Sequence, residues 1–363
     1  MDGGDAAETV WPYGLPEGTS VVACLDPWRT TAHPGRRENF RRHLDEACQQ
    51  GGMRRSNQSR SACARNRVKG HDKDTTMIVD LVHVTTRDGL RLDGTWRQPS
   101  PARAAQLGVD VVILHHGVGG NFYSPGMFEQ YSDALLERGC AVLRVNNRGH
   151  DPMSRAAVGE GVKRLGAAYE GMEDCTYDWE AWIDFAQATG YQRIGLWGHS
   201  LGATKSIYYM ATQHDTRVKC VVAGSPPRFS YSAYTALAGG EEFKRSAAQA
   251  QQHLDRGQPG ALIDTVYPIP LLVTAEVFIE KYGPQEKYDI LKHIPNVRCP
   301  LLVMVGTAEA QTMMAFQGLP PLLAQLAETT DNLTFASIPG ADHAYTHQRD
   351  YVWDVVRQWL EMV

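Results

Sequence analysis

One stretch constrains the fold of this chain more than any other: Arg193 to Met210, which reads RIGLWGHSLGATKSIYYM. Its apolar start, Ile194 to Trp197, suits a buried strand, and the residues that follow the glycines suit a helix. A tight corner between a strand and a helix strains the backbone at its apex and leaves no room for a Cβ two residues before or after it. Gly198 and Gly202 stand at those positions around Ser200. The stretch predicts a strand, a sharp turn with a serine at its apex, and a helix.

A serine at such a corner is placed for nucleophilic chemistry. Its hydroxyl is a poor nucleophile until a base takes its proton, and the corner lifts Oγ to where a base can reach it. Backbone N–H groups at the start of the next helix have no helical partner, which suits an oxyanion. The alternative is a glycine-rich turn with an incidental serine, and the flanking strand and helix argue against it.

A base and an orienting acid are found after later predicted strands. His343 is the candidate base because it lies in a loop after the final strand and before the last helix. Glu309 is the candidate acid, beyond the strand that ends at Gly306, which gives the chain order serine, acid, histidine. Asp342 is the competing acid, but neighbours in sequence usually point apart.

The loop after the strand at 109–115 is the candidate source of a second oxyanion donor. It reads His116-Gly117-Val118. The backbone N–H of Val118 would act together with that of Leu201. Both roles belong to the main chain, so the side chains at these two positions matter little.

Strands and helices alternate along most of the chain after Met77. A predicted hairpin at 78–96 is followed by apolar runs at 109–115, 140–145, 218–223, 299–306 and 333–338, with helical patterns between them. This alternation predicts an α/β fold with a mostly parallel sheet and helices on both faces. The first helix is expected to start at the N-cap Ser124 and stop at Gly139, and another is expected within 169–188. The last helix is expected to bury Tyr351, Val352, Val355, Val356, Trp359 and Leu360.

Two segments depart from this alternation, which leaves 77–224 and 299–363 as the predicted core. Residues 1–76 are expected to be a disordered extension, because 27–76 contains twelve Lys or Arg against five Asp or Glu and few large apolar residues. We expect Met77 to be the natural start. Residues 225–298 contain helix-like pieces near 241–255 and 271–281 and no convincing core strand. They predict a helical cap over the strand ends, or else a helical layer without a role in binding.

Composition narrows the function classes. With a formal net charge of −5, the 363 residues give no reason to expect nucleic acid as a partner. The sequence has no run of about twenty apolar residues, so no membrane span is predicted. The seven cysteines are scattered without metal-type spacing, so we expect reduced thiols, no metal and a cytoplasmic protein.

Together these motifs resemble the α/β-hydrolase superfamily over about Met77 to Val363. The matching residues are His116-Gly117, Arg148-Gly149-His150, Gly198-His199-Ser200-Leu201-Gly202, Glu309 and Gly340-Ala341-Asp342-His343. The hairpin start and the inserted segment resemble the branch that includes monoacylglycerol lipases and serine aminopeptidases. Two features depart from the family pattern: the acid is Glu where most members have Asp, and RGHD replaces RGHG. Arg148 and His150 are therefore interpreted as loop anchors, and His199 and Lys205 as packing or hydrogen-bonding residues.

The resemblance implies a cofactor-free hydrolase with an acyl-enzyme intermediate. Ser200 would attack a carbonyl, His343 would shuttle the proton, Glu309 would orient the imidazolium, and water would release the acyl group. The implied substrate is a carboxylic ester of small to medium size, partly apolar. A thioesterase, lactonase or amidase would carry the same residues, and a non-catalytic ligand-binding receptor can have the same fold. The oligomeric state, a homodimer included, stays open.

Overall fold

The computed structural model describes residues 78–363 and one short strand, β1 (Val22–Cys24), which falls in a separate unit of residues 21–79. Apart from that strand, the predicted extension 1–76 and the predicted start at Met77 lie outside the described residues.

The strands of residues 78–363 form one central sheet and two small hairpins. In chain order they are β2 (Ile78–Thr85), β3 (Arg91–Arg97), β4 (Val111–His115), β5 (Ala141–Val145), β6 (Ser154–Val158), β7 (Gly161–Leu165), β8 (Ile194–His199), β9 (Val218–Gly224), β10 (Leu262–Thr265), β11 (Leu271–Thr274), β12 (Leu301–Gly306) and β13 (Leu333–Ile338). The central sheet runs β2-β3-β5-β4-β8-β9-β12-β13, and β6 pairs with β7 and β10 with β11.

The sheet is mostly parallel, as the sequence predicted. From β5 to β13 every neighbouring pair is parallel, whereas β3 is antiparallel to both β2 and β5. Strand β4 shows that the sheet is covered on both faces, because all five of its residues are buried. Val111 and Ile113 belong to the core that contains Trp179, whereas Val112 and Leu114 belong to the core that contains Tyr131. Alternate residues of one strand thus pack under helices on opposite faces.

The helices of the described residues connect or follow these strands. They are α1 (Met127–Glu137), α2 (Cys175–Ala188), α3 (Leu201–Gln213), α4 (Tyr231–Thr235), α5 (Gly240–Asp255), α6 (Ala275–Tyr282), α7 (Ile290–His293), a 3₁₀ turn (Ile294–Asn296), α8 (Thr307–Thr312), α9 (Leu319–Ala327) and α10 (Arg349–Leu360).

Four helix predictions need correction. Helix α1 begins after the N-cap Gly126, not after Ser124, because the Ser124 N–H is held in a turn by Asn121 Oδ1 at 2.7 Å. Its predicted stop is confirmed, since Gly139 has a φ of 73°. The pattern at 169–188 becomes helical only at α2, after a turn in which Glu170 N–H donates to Gly166 O.

The third correction concerns helix α10, which buries a narrower stripe than predicted. Val352, Val356, Trp359 and Leu360 are buried, with the spacing of one helix face. Tyr351 is 48% exposed, so its inclusion was wrong, whereas Val355 is half-buried and packs against the core. Each lies one residue before a buried position, at the edge of that face.

The segment 225–298 adds no strand to the central sheet, as the sequence indicated. It contains α4, α5, α6, α7, the 3₁₀ turn and the β10–β11 hairpin. The expected helix at 241–255 corresponds to α5. The piece near 271–281 was expected to be helix-like, but its first four residues pair with β10 and the helix starts only after the N-cap Thr274. The β6–β7 hairpin was not predicted.

Membrane, metal and thiol features can be stated for the described part of the chain. No helix there is both long and apolar enough to cross a bilayer. Within the same residues, no three His, Cys, Asp or Glu side chains are grouped to hold a metal ion. Cys140, Cys175, Cys220 and Cys299 are free thiols, and burial raises the pKa of Cys299 to about 11.

Candidate active site

Ser200 stands at the corner between β8 and α3. Its φ of 55° lies in the left-handed region that residues with a side chain rarely adopt, and its N–H donates to Gly224 O at 2.8 Å. A Cβ on Gly198 would lie 2.3 Å from Gly202 O, and one on Gly202 would lie 2.4 Å from His115 O. The strained serine is thus held between two glycines that close backbone contacts require, as the sequence analysis expected.

His343 and Glu309 continue from Ser200 as an unbroken line of hydrogen bonds. His343 lies in the loop after β13, and its Nε2 is 3.0 Å from Ser200 Oγ. Its Nδ1 is 2.7 Å from Oε2 of Glu309, which lies in the first turn of α8 and is 1% exposed. The carboxylate can hold the proton on Nδ1, which leaves Nε2 free to accept the serine proton.

The second carboxylate oxygen of Glu309 has its own donors. Gly306 N–H donates to Oε1 at 2.6 Å, and Ser225 Oγ donates to the same oxygen at 2.5 Å. Tyr345 OH lies 2.7 Å from Ser225 Oγ. Both side chains are fully buried. Sequence reasoning missed Ser225 and Tyr345, because neither belongs to a recognisable motif.

Asp342, the competing acid, is engaged elsewhere. Its exposed carboxylate accepts hydrogen bonds from the backbone N–H groups of Thr346 at 2.8 Å and Ala344 at 3.1 Å. These bonds lower the pKa of Asp342 and make the residue a cap of the turn that carries His343. The structure brings Glu309, and not Asp342, to the imidazole.

The loops that carry the acid and the base are fastened to each other. Ala308 and Glu309 both donate their backbone N–H to Ala341 O, and Gly340 N–H donates to Thr307 Oγ1 at 2.8 Å. The strands beneath them, β12 and β13, are in register up to Gly306 and Ile338. We call this arrangement the acid–base clamp.

Two aromatic rings also position His343. His199 Nε2 donates to the backbone oxygen of His343 at 2.7 Å, and burial lowers the pKa of His199 to about 3, which keeps its ring neutral. The Phe316 ring lies 5.3 Å from the imidazole, centroid to centroid. His199 is thus a hydrogen-bonding residue, as interpreted from the sequence.

The two predicted oxyanion residues lie on the wall of the cavity at Ser200. Leu201 is the first residue of α3, and Val118 follows Gly117 in the loop after β4. That loop runs against the nucleophile, since a Cβ on Gly117 would lie 2.9 Å from Ser200 Cβ. The arrangement can present two backbone N–H groups to one oxygen bound near Ser200.

Comparison with known proteins agrees with this architecture. Residues 110–256 match a family model described as alpha/beta hydrolase fold. The chain has the α/β-hydrolase fold. It has no significant match among curated protein sequences.

Solved structures with the α/β-hydrolase fold resemble the chain at low sequence identity. A soluble variant of monoglyceride lipase from Saccharomyces cerevisiae has a TM-score of 0.55 and 16% identity, over 79% of this chain and 96% of that one. Est1E from Butyrivibrio proteoclasticus, bound to ferulic acid, has a TM-score of 0.52 and 16% identity, over 77% of this chain and 97% of that one. The esterase Pf2001 from Pyrococcus furiosus has a TM-score of 0.50 and 18% identity, over 78% of this chain and 93% of that one.

The cavity at Ser200 is lined mainly by apolar side chains. It measures about 560 Å³ including the space at its open mouth, within the usual range for small-molecule sites. Segment 225–298 provides five of its residues and the loop after α8 provides three: Pro227, Phe229, Pro268, Ile269 and Tyr282, then Met313, Ala315 and Phe316. A role for that segment was predicted from the sequence, whereas none was predicted for the second loop, because its residues form no motif.

Arg148 lies apart from this cavity. Its guanidinium pairs with Asp178 at 2.8 Å, Asp174 at 2.9 Å and Asp88 at 3.0 Å, and its backbone N–H also donates to Asp178. Arg148 and Asp178 are both buried. These contacts fit the interpretation of Arg148 as a loop anchor of the α/β-hydrolase fold.

Proposed function

We propose that this protein is a serine hydrolase that cleaves a carboxylic ester of a small to medium, partly apolar substrate through an acyl-enzyme intermediate. One observation carries the proposal: the line of hydrogen bonds from Glu309 through His343 to Ser200 ends at an apolar cavity. A strained serine with a base and a buried orienting acid is the arrangement that nucleophilic acyl transfer requires.

In the acylation step, His343 Nε2 takes the proton of Ser200 while Oγ forms a bond to the ester carbonyl carbon. The carbonyl electron pair moves onto oxygen, and the backbone N–H groups of Val118 and Leu201 stabilise that oxyanion; each such donor typically contributes about 10²–10³ in kcat. The bond to the leaving alkoxide then breaks, and His343 gives it the proton. An alcohol leaves and the acyl group stays on Ser200.

Deacylation repeats these steps with water as the nucleophile. His343 takes a proton from water, whose oxygen forms a bond to the acyl carbon. The bond from that carbon to Ser200 Oγ breaks, and His343 returns the proton to the serine. The products are a carboxylic acid and the free enzyme, and no cofactor enters the sequence.

The cavity supports an apolar acyl or alcohol group as the part of the substrate that is bound. Phe229, Ile269 and Phe316 provide apolar surface beside Ser200. We propose that segment 225–298 is a cap that selects this group, since five of its residues line the cavity. The yeast structure named above is a monoglyceride lipase in complex with a substrate analogue, and Est1E holds ferulic acid. An ester substrate for this chain is in keeping with both.

Labelling with a fluorophosphonate probe tests the proposal. The wild-type protein is expected to react once, at the peptide that contains Ser200, because only an activated serine attacks the phosphorus rapidly. Hydrolysis is measured in parallel over 4-nitrophenyl esters of increasing chain length, and over thioesters, lactones and amides. Ser200→Ala is the control and should not react. A wild-type protein that neither reacts with the probe nor turns over any of these substrates would have to be a binding protein.

A second prediction concerns the length of the acyl chain. Ile269→Trp is expected to lower kcat/KM for a long-chain ester about tenfold or more relative to the acetyl ester, because the larger ring fills space that one or more methylene groups would use. Leu272→Trp is the matched control, since Leu272 is 43% exposed on the same hairpin and lies outside the cavity lining. An unchanged chain-length profile in Ile269→Trp would place the apolar group elsewhere.

A further inference from the structure

A group of charged side chains lies buried behind the loop that carries Val118. Lys205 of α3, Lys281 of α6 and Glu170 are each at most 1% exposed. Lys205 Nζ lies 2.5 Å from one Glu170 oxygen, and Lys281 Nζ lies 3.1 Å from the other. Two ammonium groups thus share one carboxylate. Burial of such charges is costly, so their retention calls for a reason other than packing.

Lys205 has a second contact that Lys281 lacks, and it determines how Asn147 is oriented. Lys205 Nζ donates to Asn147 Oδ1 at 3.0 Å, and Gly149 N–H donates to the same atom at 2.7 Å. Both groups are donors only, so the atom between them must be the amide oxygen. Asn147 Nδ2 therefore points the other way and donates to His116 Nε2 at 3.1 Å.

The same direction of donation continues through His116. Its Nδ1 lies 2.7 Å from Gly117 O, and a carbonyl oxygen only accepts, so the ring proton is on Nδ1. Nε2 is then the acceptor that the Asn147 amide requires. Burial lowers the pKa of His116 to about 4, so the ring is neutral near neutral pH, as this pattern needs. Every donor along the line meets an acceptor.

The last hydrogen bond acts on a peptide group of the oxyanion loop. Gly117 C=O and Val118 N–H belong to one planar trans peptide, in which the two bonds point in opposite directions. The Gly117 carbonyl also accepts the backbone N–H of Gly120, at 3.2 Å. Holding the carbonyl toward His116 turns the N–H of Val118 away from His116. Val118 lines the cavity that also contains Ser200 and Leu201.

We propose that Lys205, Asn147 and His116 form a buried relay of positioning residues that holds the Gly117–Val118 peptide with its N–H toward the oxyanion. This inference rests on the proposed function. None of the three residues contacts the reacting atoms. The ammonium of Lys205 orients the Asn147 amide. That amide, at 3.1 Å, and the backbone N–H of Asn147, at 3.4 Å, both donate to His116 Nε2 and favour the tautomer that holds the peptide plane.

Gly149 has no Cβ because the buried charges leave no space for one. A Cβ at this position would lie 1.8 Å from Glu170 Oε2. Its N–H is also one of the two donors to Asn147 Oδ1. The Arg148-Gly149 loop thereby supports the relay through its backbone.

The two lysines offer a matched pair of variants. Lys205→Met and Lys281→Met each remove one ammonium group and leave Glu170 with one partner, so their stability costs should be similar. Only Lys205→Met removes a donor from Asn147. In this variant kcat is expected to fall about tenfold with KM nearly unchanged, because the oxyanion donor is displaced but not lost. Lys281→Met should keep kcat within about threefold. Equal kcat values in the two variants would overturn the relay.

Asn147→Leu interrupts the relay at its centre and should lower kcat more than Lys205→Met does, by about 10². Thermal melts show whether each variant is folded. If Asn147→Leu does not fold, the two lysine variants still decide.

A second measurement is independent of activity. In the ¹⁵N spectrum of histidine-labelled wild-type protein, His116 should show a protonated Nδ1 and an unprotonated Nε2, with its signals assigned by their loss in His116→Gln. A protonated Nε2 would contradict the relay even in an active enzyme. A protein with the predicted tautomer but without hydrolase activity would instead contradict the proposed function alone.

Discussion

Replacing Glu309 with glutamine is expected to lower kcat about 10⁴-fold, the size of effect known when a triad acid becomes an amide. The surroundings determine how the new side chain would sit. Gly306 N–H and Ser225 Oγ both donate to Oε1, so the amide oxygen must take that position. The NH₂ group then faces His343 Nδ1 and forces the ring proton onto Nε2. In that tautomer His343 cannot accept the proton of Ser200.

Asp342→Asn is the matched control for this prediction. It neutralises the neighbouring carboxylate, which bonds to Ala344 and Thr346 of its own turn and not to His343. Its kcat should stay within about threefold of wild type. Steady-state kinetics on the best ester of the panel measures both variants. A larger loss in Asp342→Asn than in Glu309→Gln would reverse the assignment of the acid.

Arg148→Met is expected to lower the free energy of unfolding by about 3–5 kcal/mol, because it leaves a buried carboxylate without its counter-ion. Asp178 is fully buried. In the variant, the only hydrogen bond that residue 148 could still donate to it would come from the backbone N–H. An unpaired buried carboxyl has a raised pKa, so its folded form retains a proton that the unfolded form loses. The deficit should therefore shrink as the pH falls through that raised pKa.

Arg87→Met provides the comparison for Arg148→Met. Arg87 and Arg148 both lie over the Tyr177 ring, but the Arg87 side chain is 59% exposed and its partner Glu180 is 43% exposed. Exposed pairs of this kind contribute about 0–1 kcal/mol. Urea denaturation over a range of pH measures both variants. Similar losses in the two would mean that the Arg148 pairs contribute no more than surface pairs do.

The elements nearest Ser200 were predictable because local chemistry defines them. The glycines of the elbow are required by contacts that a Cβ would block, and the chain order of Ser200, Glu309 and His343 follows from loops that leave successive parallel strands. The alternation of strands and helices was sufficient to predict the sheet.

The remaining features depend on contacts between distant parts of the chain. Ser225 supports Glu309 across 84 residues, and Lys205 meets Glu170 across 35, without a pattern that marks either pair. Strand β11 was mistaken for helix because a short apolar run suits both structures, and pairing with β10 decides between them. Ser124 was a reasonable N-cap by residue type, but the side chain of Asn121 determines the local turn.

The acid–base clamp has a consequence for how activity of this kind can diversify. Glu309 and His343 derive their separation from two adjoining strands and the backbone bonds between their loops, without help from the segment beyond Ser225. Mutation or recombination within 226–298 can therefore alter which molecules enter while the distance between acid and base stays constant. Selection can act on substrate choice and on proton transfer separately, since the two are encoded in different stretches of the gene.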